Sequence, residues 1–248
     1  MLTLHQFRHS AFCEKVRLVL AAKKLPYSVV EVLPGLGQLE LFRLSGQRQV
    51  PVLVDGDQVV ADSTAIALHL ERHHPDPALL PPDPRQRARV LLLEDWADTT
   101  LASGCRLAFA QGAAADPLLR SALLPAATPG PLRQLVVGLP GTVGEVVAGA
   151  VAGGEREHLQ QNLALLSDLV GAGSYLVGET LSLADLAVAA QLSLLLFPAS
   201  AGAPLAGHGV AGVADNPLLE PLFRWRDRIT AELVGLPHPA ESPASAAG

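Results

Sequence analysis

Residues 48–71 read RQVPVLVDGDQVVADSTAIALHLE. Two apolar runs, Val52-Leu53-Val54 and Val59-Val60, flank Asp55-Gly56-Asp57-Gln58. An Asp-Gly pair in that setting marks a tight turn between antiparallel strands. Ile66, Leu68 and Leu70 then continue with helical spacing, so the stretch predicts β-β-α. Asp62 and Ser63 stand where that helix begins, and both residue types suit a helix N-terminus.

Upstream, residues 2–7 alternate apolar and polar side chains and residues 27–32 are rich in β-branched ones, which predicts two short strands. Phe12, Val16, Val19 and Leu20 recur between them at helical spacing, so the chain starts β-α-β. The segment 34–49, PGLGQLELFRLSGQRQ, reads as a loop, and Gln38 within it is given no role.

Downstream, residues 73–84 hold five prolines, which cannot continue a helix and favour an extended connection. The expected division is an N-terminal domain over 1–76, a linker over 77–84, an all-helical domain over 85–234 and a disordered tail over 235–248. Helical patterns cover 85–111 around Val90, Leu93, Trp96 and Ala97, then 155–170, 183–197, and 217–232 with Leu222, Trp225 and Ile229. The Ala-, Gly-, Pro- and Leu-rich stretch 113–154 reads as an irregular insertion of one loop and one or two short helices.

The composition narrows the partners. With 17% charged residues and a net charge of −6, the chain has no basic field to hold a nucleic acid backbone. Cys13 and Cys105 are too few for a disulfide framework, which fits a reducing compartment. The opening MLTLHQFRHS lacks the apolar run of a secretory signal. Residues 186–206 carry no charge and approach the length of a membrane span, but Gln191, Ser193 and Pro198 interrupt them. A buried helix stopped near Pro198 is expected instead, in a cytoplasmic protein without membrane contact. His69 and His73 share a helix face without a third ligand, so no metal is expected there. Trp96, Phe109 and Trp225 read as apolar anchors, and Cys105 as buried or lining a pocket.

Residues 8–17, RHSAFCEKVR, raise a question of thiol chemistry. The unpaired N–H groups of a helix N-terminus favour an anion, a thiolate included. Ser10 reads as the N-cap, with Cys13 about one turn into the helix. Taken alone, the pair serves thiol chemistry or is no more than a cap and a small buried hydrophobe.

Ser10-Ala11-Phe12-Cys13 at the first helix, Gln49-Val50-Pro51 before the third strand, and Asp62-Ser63 at the following helix resemble, in that order, the cytosolic glutathione S-transferase family. The likeness is to its serine-type, bacterial-like members. It implies an α+β thioredoxin-like N-terminal domain (βαβ-ββα) followed by an all-α domain. It also implies a cis Val50-Pro51 bond that presents the Val50 backbone to an extended cysteinyl backbone, in the manner of an added strand. Asp62 and Ser63 would then bind the ammonium and carboxylate of the γ-glutamyl group, and Gln49 the glycine carboxylate. Ser182 and Asp185, in TLSLADL at 180–186, form an S-x-x-D capping box flanked by Leu181 and Leu186, a folding mark of the same family.

The resemblance implies an enzyme that conjugates reduced glutathione to a small apolar electrophile in detoxification. Ser10 would donate a hydrogen bond to the sulfur, since a hydroxyl is a better donor than nucleophile near neutrality. No metal or bound cofactor is needed, glutathione being the co-substrate, and a homodimer is expected. Two alternatives stay open: a thiol transferase or reductase working through Cys13, and a non-catalytic ligand-binding or interaction module of the same fold.

Overall fold

The structure, a computed structural model, describes residues 1–33, 35–124, 128–138 and 152–234. The chain divides into two compact units, residues 1–80 together with the chain from Thr230, and residues 81–229. The expected tail over 235–248 and residues 125–127 and 139–151 of the expected insertion lie outside the described residues.

The first unit is a four-stranded mixed sheet in the order β2-β1-β3-β4, built from β1 (Leu2–Gln6), β2 (Tyr27–Glu31), β3 (Val52–Asp55) and β4 (Gln58–Ala61). β1 and β2 run parallel, which requires a crossover, and α1 (Ala11–Ala22) supplies it. β3 and β4 form the hairpin expected around Asp55-Gly56, and β3 pairs antiparallel with β1. Val52 and Leu53 are adjacent, point to opposite faces of the sheet and are both fully buried, so β3 is covered on both sides. This is the thioredoxin-like arrangement.

One element departs from the expectation. Residues 34–49 are not simply a loop, because Leu36–Ser45 forms a helix, α2, and the order is β-α-β-α-β-β-α. Gln38 thus sits in the first turn of α2, where its side chain accepts from the Gly35 N–H. The helix is hidden in the sequence because its glycines look like loop punctuation, whereas Gly35 and Gly46 cap it and Gly37 lies in its first turn; Gly46, at φ +73°, is its left-handed C-cap. Its apolar residues also fail to form one stripe. Leu41 packs with Val32 and Val52, while Leu39, Phe42 and Leu44 are exposed.

α3 (Ser63–His73) follows β4, and α1 packs beside it. The buried Lys23 fastens their far ends: its Nζ donates to the carbonyls of His74 at 2.6 Å and Pro77 at 3.0 Å and pairs with Glu71 at 2.7 Å. Glu71 also accepts the N–H groups of Leu79 and Leu80, fixing the chain as it leaves α3. A cation at a helix C-terminus is well placed.

The second unit is all helical. α4 (Pro84–Trp96) passes through a π-helical turn at Ala97–Leu101 into α5 (Ala102–Ala115), a break that no sequence pattern announced. The short α6 (Pro117–Ser121) and α7 (Gly130–Val137) occupy part of the expected insertion. Arg120 gathers them, donating to the carbonyls of Ala113 and Ala114 at the end of α5 and of Val137 at the end of α7. α8 (Ala152–Ala172), α9 (Leu183–Leu192) and α10 (Glu220–Val234) complete the unit. Asp-Pro or Asn-Pro starts three segments, with Asp83, Asp116 and Asn216 each capping and a proline at the first position.

α9 ends at Leu192, earlier than the expected stop near Pro198. Turn bonds run on until the Leu196 N–H reaches the Leu192 carbonyl; the Phe197 N–H then turns to the His208 carbonyl, and the buried Arg226 of α10 holds the carbonyls of Leu192 and Leu196. Gly209 pairs with Leu196 in an isolated bridge so close that a Cβ there would lie 2.4 Å from the Leu195 carbonyl oxygen. No described helix is long and apolar enough to cross a membrane. At the start of α9, the buried Asp185 accepts from the Ser182 N–H and hydroxyl and from the Leu176 N–H. Burial raises its pKa, and these bonds work against that rise.

Removing one partner of a buried ion pair strands the other. Glu71→Ala, which also orphans the Leu79 and Leu80 N–H groups, is expected to cost about 3 kcal/mol in urea unfolding; a loss below about 1 kcal/mol would show that the Lys23 clamp contributes little.

Candidate functional site

Strand register gathers the three motifs. His5 of β1 is opposite Val52 of β3, and Val52 is opposite Ala61 of β4. The loop leaving β1 toward Ser10, the residues Gln49-Val50-Pro51 entering β3, and Asp62-Ser63 leaving β4 therefore emerge at one end of the sheet. The Val50-Pro51 peptide bond is cis. Pro51 is buried, Val50 half-buried against the Val32, Leu41 and Val52 cluster, and Gln49 exposed.

Ser10 is the N-cap of α1. Its Oγ accepts from the Cys13 N–H at 3.4 Å, and its carbonyl accepts from the Glu14 N–H at 2.9 Å. The hydroxyl proton is not used by that cap, so it remains available to an acceptor placed before the helix. Arg17, one helical turn beyond Cys13, braces the approach to Ser10, donating to the Arg8 carbonyl at 2.7 Å and Gln6 Oε1 at 2.6 Å and pairing with Glu14. Glu31 of β2 accepts from Gln6 Nε2 and from the Arg8 N–H. The charges of Arg8 and Arg17 are set here against those of Glu14 and Glu31. Burial first, and these two cations second, hold the His9 imidazole down at a pKa of about 4, against the opposing pull of Glu14.

Cys13 lies elsewhere in character. It is fully buried, and burial raises its thiol pKa despite hydrogen bonds that favour the thiolate. Cys105 is likewise fully buried with a raised pKa.

Asp62 and Ser63 divide inside from outside. Asp62, at φ +80°, is the exposed N-cap of α3 and accepts the N–H groups of Thr64 and Ala65, each at 3.0 Å. The Ser63 side chain turns inward, where the buried Lys15 Nζ donates to Ser63 Oγ at 3.4 Å and to Thr64 Oγ1 at 3.0 Å. Lys15, Arg17 and Glu31 were not singled out from the sequence. A lysine among the apolar positions of α1 was the signal available for the first, since charges are almost never buried unless paired.

His69 and His73, discounted as ligands, are engaged otherwise: His69 Nε2 meets Asp55 Oδ2 at 3.0 Å, and His73 Nδ1 meets the His69 carbonyl at 2.8 Å. The His69 contact is the main cause of the lowered Asp55 pKa. A cleft of about 300 Å³ lies wholly within the helical unit, between α5, α6, α8 and residues 210–213, with Leu107, Gln111, Leu159 and Val210 on its walls. Cys105 is not part of its lining.

Comparison with known proteins agrees with this geometry. The family model for the glutathione S-transferase N-terminal domain matches residues 4–78. Glutathione S-transferase Z1 of Arabidopsis thaliana is 37% identical over 90 residues, 35% of this chain and 41% of that protein. FtsZ-localized protein A of Caulobacter vibrioides is 28% identical over 197 residues, 78% of this chain and 76% of that protein. The chain spans less than half the length of several of the curated relatives it matches. The crystal structure of a glutathione S-transferase from Rhodospirillum rubrum F11 superposes with a TM-score of 0.63 at 24% identity, covering 98% of this chain and 97% of that one. Residues 4–78 thus match the glutathione S-transferase N-terminal domain, and the chain as a whole follows the fold of that solved structure.

Proposed function

We propose that this protein binds reduced glutathione at the sheet end marked by Ser10, Val50-Pro51 and Asp62-Ser63, and conjugates it to a small apolar electrophile. The convergence of these motifs on the row His5, Val52, Ala61 carries the reading. The cysteinyl backbone pairs with Val50, Gln49 reaches the glycine carboxylate, and Asp62 and the first turn of α3 take the γ-glutamyl group. The Ser10 hydroxyl donates to the sulfur, and the α1 N-terminus with Arg8 and Arg17 favours its thiolate. That thiolate forms the new carbon–sulfur bond while the electrophile's leaving group departs or its double bond takes up a proton. Orientation and a lowered thiol pKa supply the rate, and the step needs no metal or bound cofactor. The same reading makes the protein a cytoplasmic homodimer.

The route through Cys13 is less well supported, since a fully buried thiol of raised pKa is a poor nucleophile. A non-catalytic role draws on one observation, the similarity to FtsZ-localized protein A over most of the chain. It predicts a protein without measurable glutathione affinity.

Two measurements test the enzyme reading. With an aryl halide as electrophile, Ser10→Ala is expected to lower kcat/KM about 10²-fold, the effect of losing one preorganised donor, while Cys13→Ala retains conjugation; the reverse pattern moves the chemistry to Cys13. His9, already neutral above a pH of about 4, adds no step of its own. The rate should therefore rise with pH through thiol ionisation alone, and an inflection near the usual histidine value of about 6.5 that disappears in His9→Gln would contradict the site's electrostatics.

A further inference from the structure

α4 packs against α9 and buries Val90, Glu94 and, where the π-helical turn begins, Ala97. Leu92 lies about 200° around the helix from both Val90 and Glu94, and it is 70% exposed. Arg85, Ala88, Arg89 and Asp95 are exposed beside it, and Trp96 is half-buried. A single exposed leucine needs no explanation, but the charges around this one do. Arg85 and Arg89 are like charges one turn apart, an unfavourable pair on a helix surface. Arg85 also stands in the first turn, where the helix dipole favours an anion. Among the described residues, the side chains of Arg85, Arg89 and Asp95 make no hydrogen bond or ion pair.

The face is a palindrome about Leu92. Arg89 and Asp95 stand three residues to either side of it, and Ala88 and Trp96 stand four. A two-fold axis at Leu92 sets α4 antiparallel to the same helix of a second copy, so that positions equally far before and after Leu92 come level. Leu92 then meets the partner's Leu92. About 4.5 Å along the helix Arg89 comes level with the partner's Asp95, and about 6 Å along it Ala88 comes level with the partner's Trp96. Helices in contact lie about 8–10 Å apart, a gap that an arginine side chain spans, and the small alanine leaves room for the indole ring. The two-fold repeats each pairing, so two Arg–Asp pairs flank one apolar centre. An acidic partner of another kind would answer the arginines but would bring like charge to Asp95.

We propose that this face of α4 is a self-association surface, on which a second copy of the chain docks antiparallel about Leu92 with Arg89 and Asp95 paired across the two-fold axis. The proposal rests on the homodimer reading above and gives that dimer its face. It does not depend on what the end of the sheet binds.

The test is the oligomeric state of the full chain by sedimentation, with circular dichroism to check that each variant folds. The unaltered protein is expected to sediment as a dimer at about 10 μM. Leu92→Asp, which sets two like charges on the axis, is expected to sediment as a monomer at that concentration. Arg89→Glu and Asp95→Arg each turn both ion pairs into repulsions, and each is expected to weaken dimerisation at least about tenfold. These two variants change exposed side chains and carry the test if Leu92→Asp does not fold. Mixed in equal amounts, they are expected to form a heterodimer about as tight as the unaltered dimer, because both pairs at the axis then join opposite charges. A dimer whose strength none of these substitutions changes, or a mixture no tighter than either variant alone, would overturn the proposal and leave the homodimer reading standing. An unaltered chain that stays monomeric up to about 100 μM would overturn both.

Discussion

The backbone ladder that places His5, Val52 and Ala61 side by side is the constraint on which the rest of the molecule depends. Strand register is a discrete quantity, and a slip of one residue would send every buried side chain of β3 to the opposite face. The tight turn at Asp55-Gly56, which joins β3 to β4, opposes such a slip. Once that row is set, three segments far apart in sequence must leave the sheet at the same end. The hairpin turn at Asp55-Gly56 lies at the other end, so the register serves the site and the tight turn serves the register.

α1 transmits this order. Its first turn carries Ser10 as cap, Arg17 braces the loop that delivers Ser10, Lys15 reaches the start of α3 and Lys23 its end. Four functions thus sit on α1 and its two caps, and all of them use charged or polar groups. Buried charges are retained only where acceptors or counter-ions compensate their desolvation. Carbonyls and hydroxyls of α3 and the loop after it, with the Glu71 carboxylate at Lys23, are among the partners, so the bonds that hold the lysines also tie the elements together.

The legible parts of the sequence were those written in short-range pattern. The hairpin around Asp55-Gly56, the cap at Ser10, the start of α3 at Asp62-Ser63 and the box at Ser182 and Asp185 each involve residues within a few positions of one another. α2 was not legible, because glycines at and near its ends, with Leu39, Phe42 and Leu44 exposed beside the buried Leu41, resemble a loop. The chain leaving α9 is held by Arg226, thirty and more residues away, and the inward Ser63 meets Lys15 across 48 residues. Such dependencies have no periodicity to betray them. Cys13 shows the same limit in its chemistry: its place near a helix N-terminus suggested an acidic thiol, and complete burial reverses the direction.

The central claim is that the end of the sheet at Ser10 ionises a bound glutathione thiol. The direct measurement is a pH titration of thiolate absorbance for glutathione bound to the purified protein, beside the same titration with Ser10→Ala. The account predicts that bound glutathione ionises at least about one pH unit below an ordinary thiol, and that most of this shift is lost in Ser10→Ala. A bound thiol that titrates like free glutathione in both proteins would contradict it.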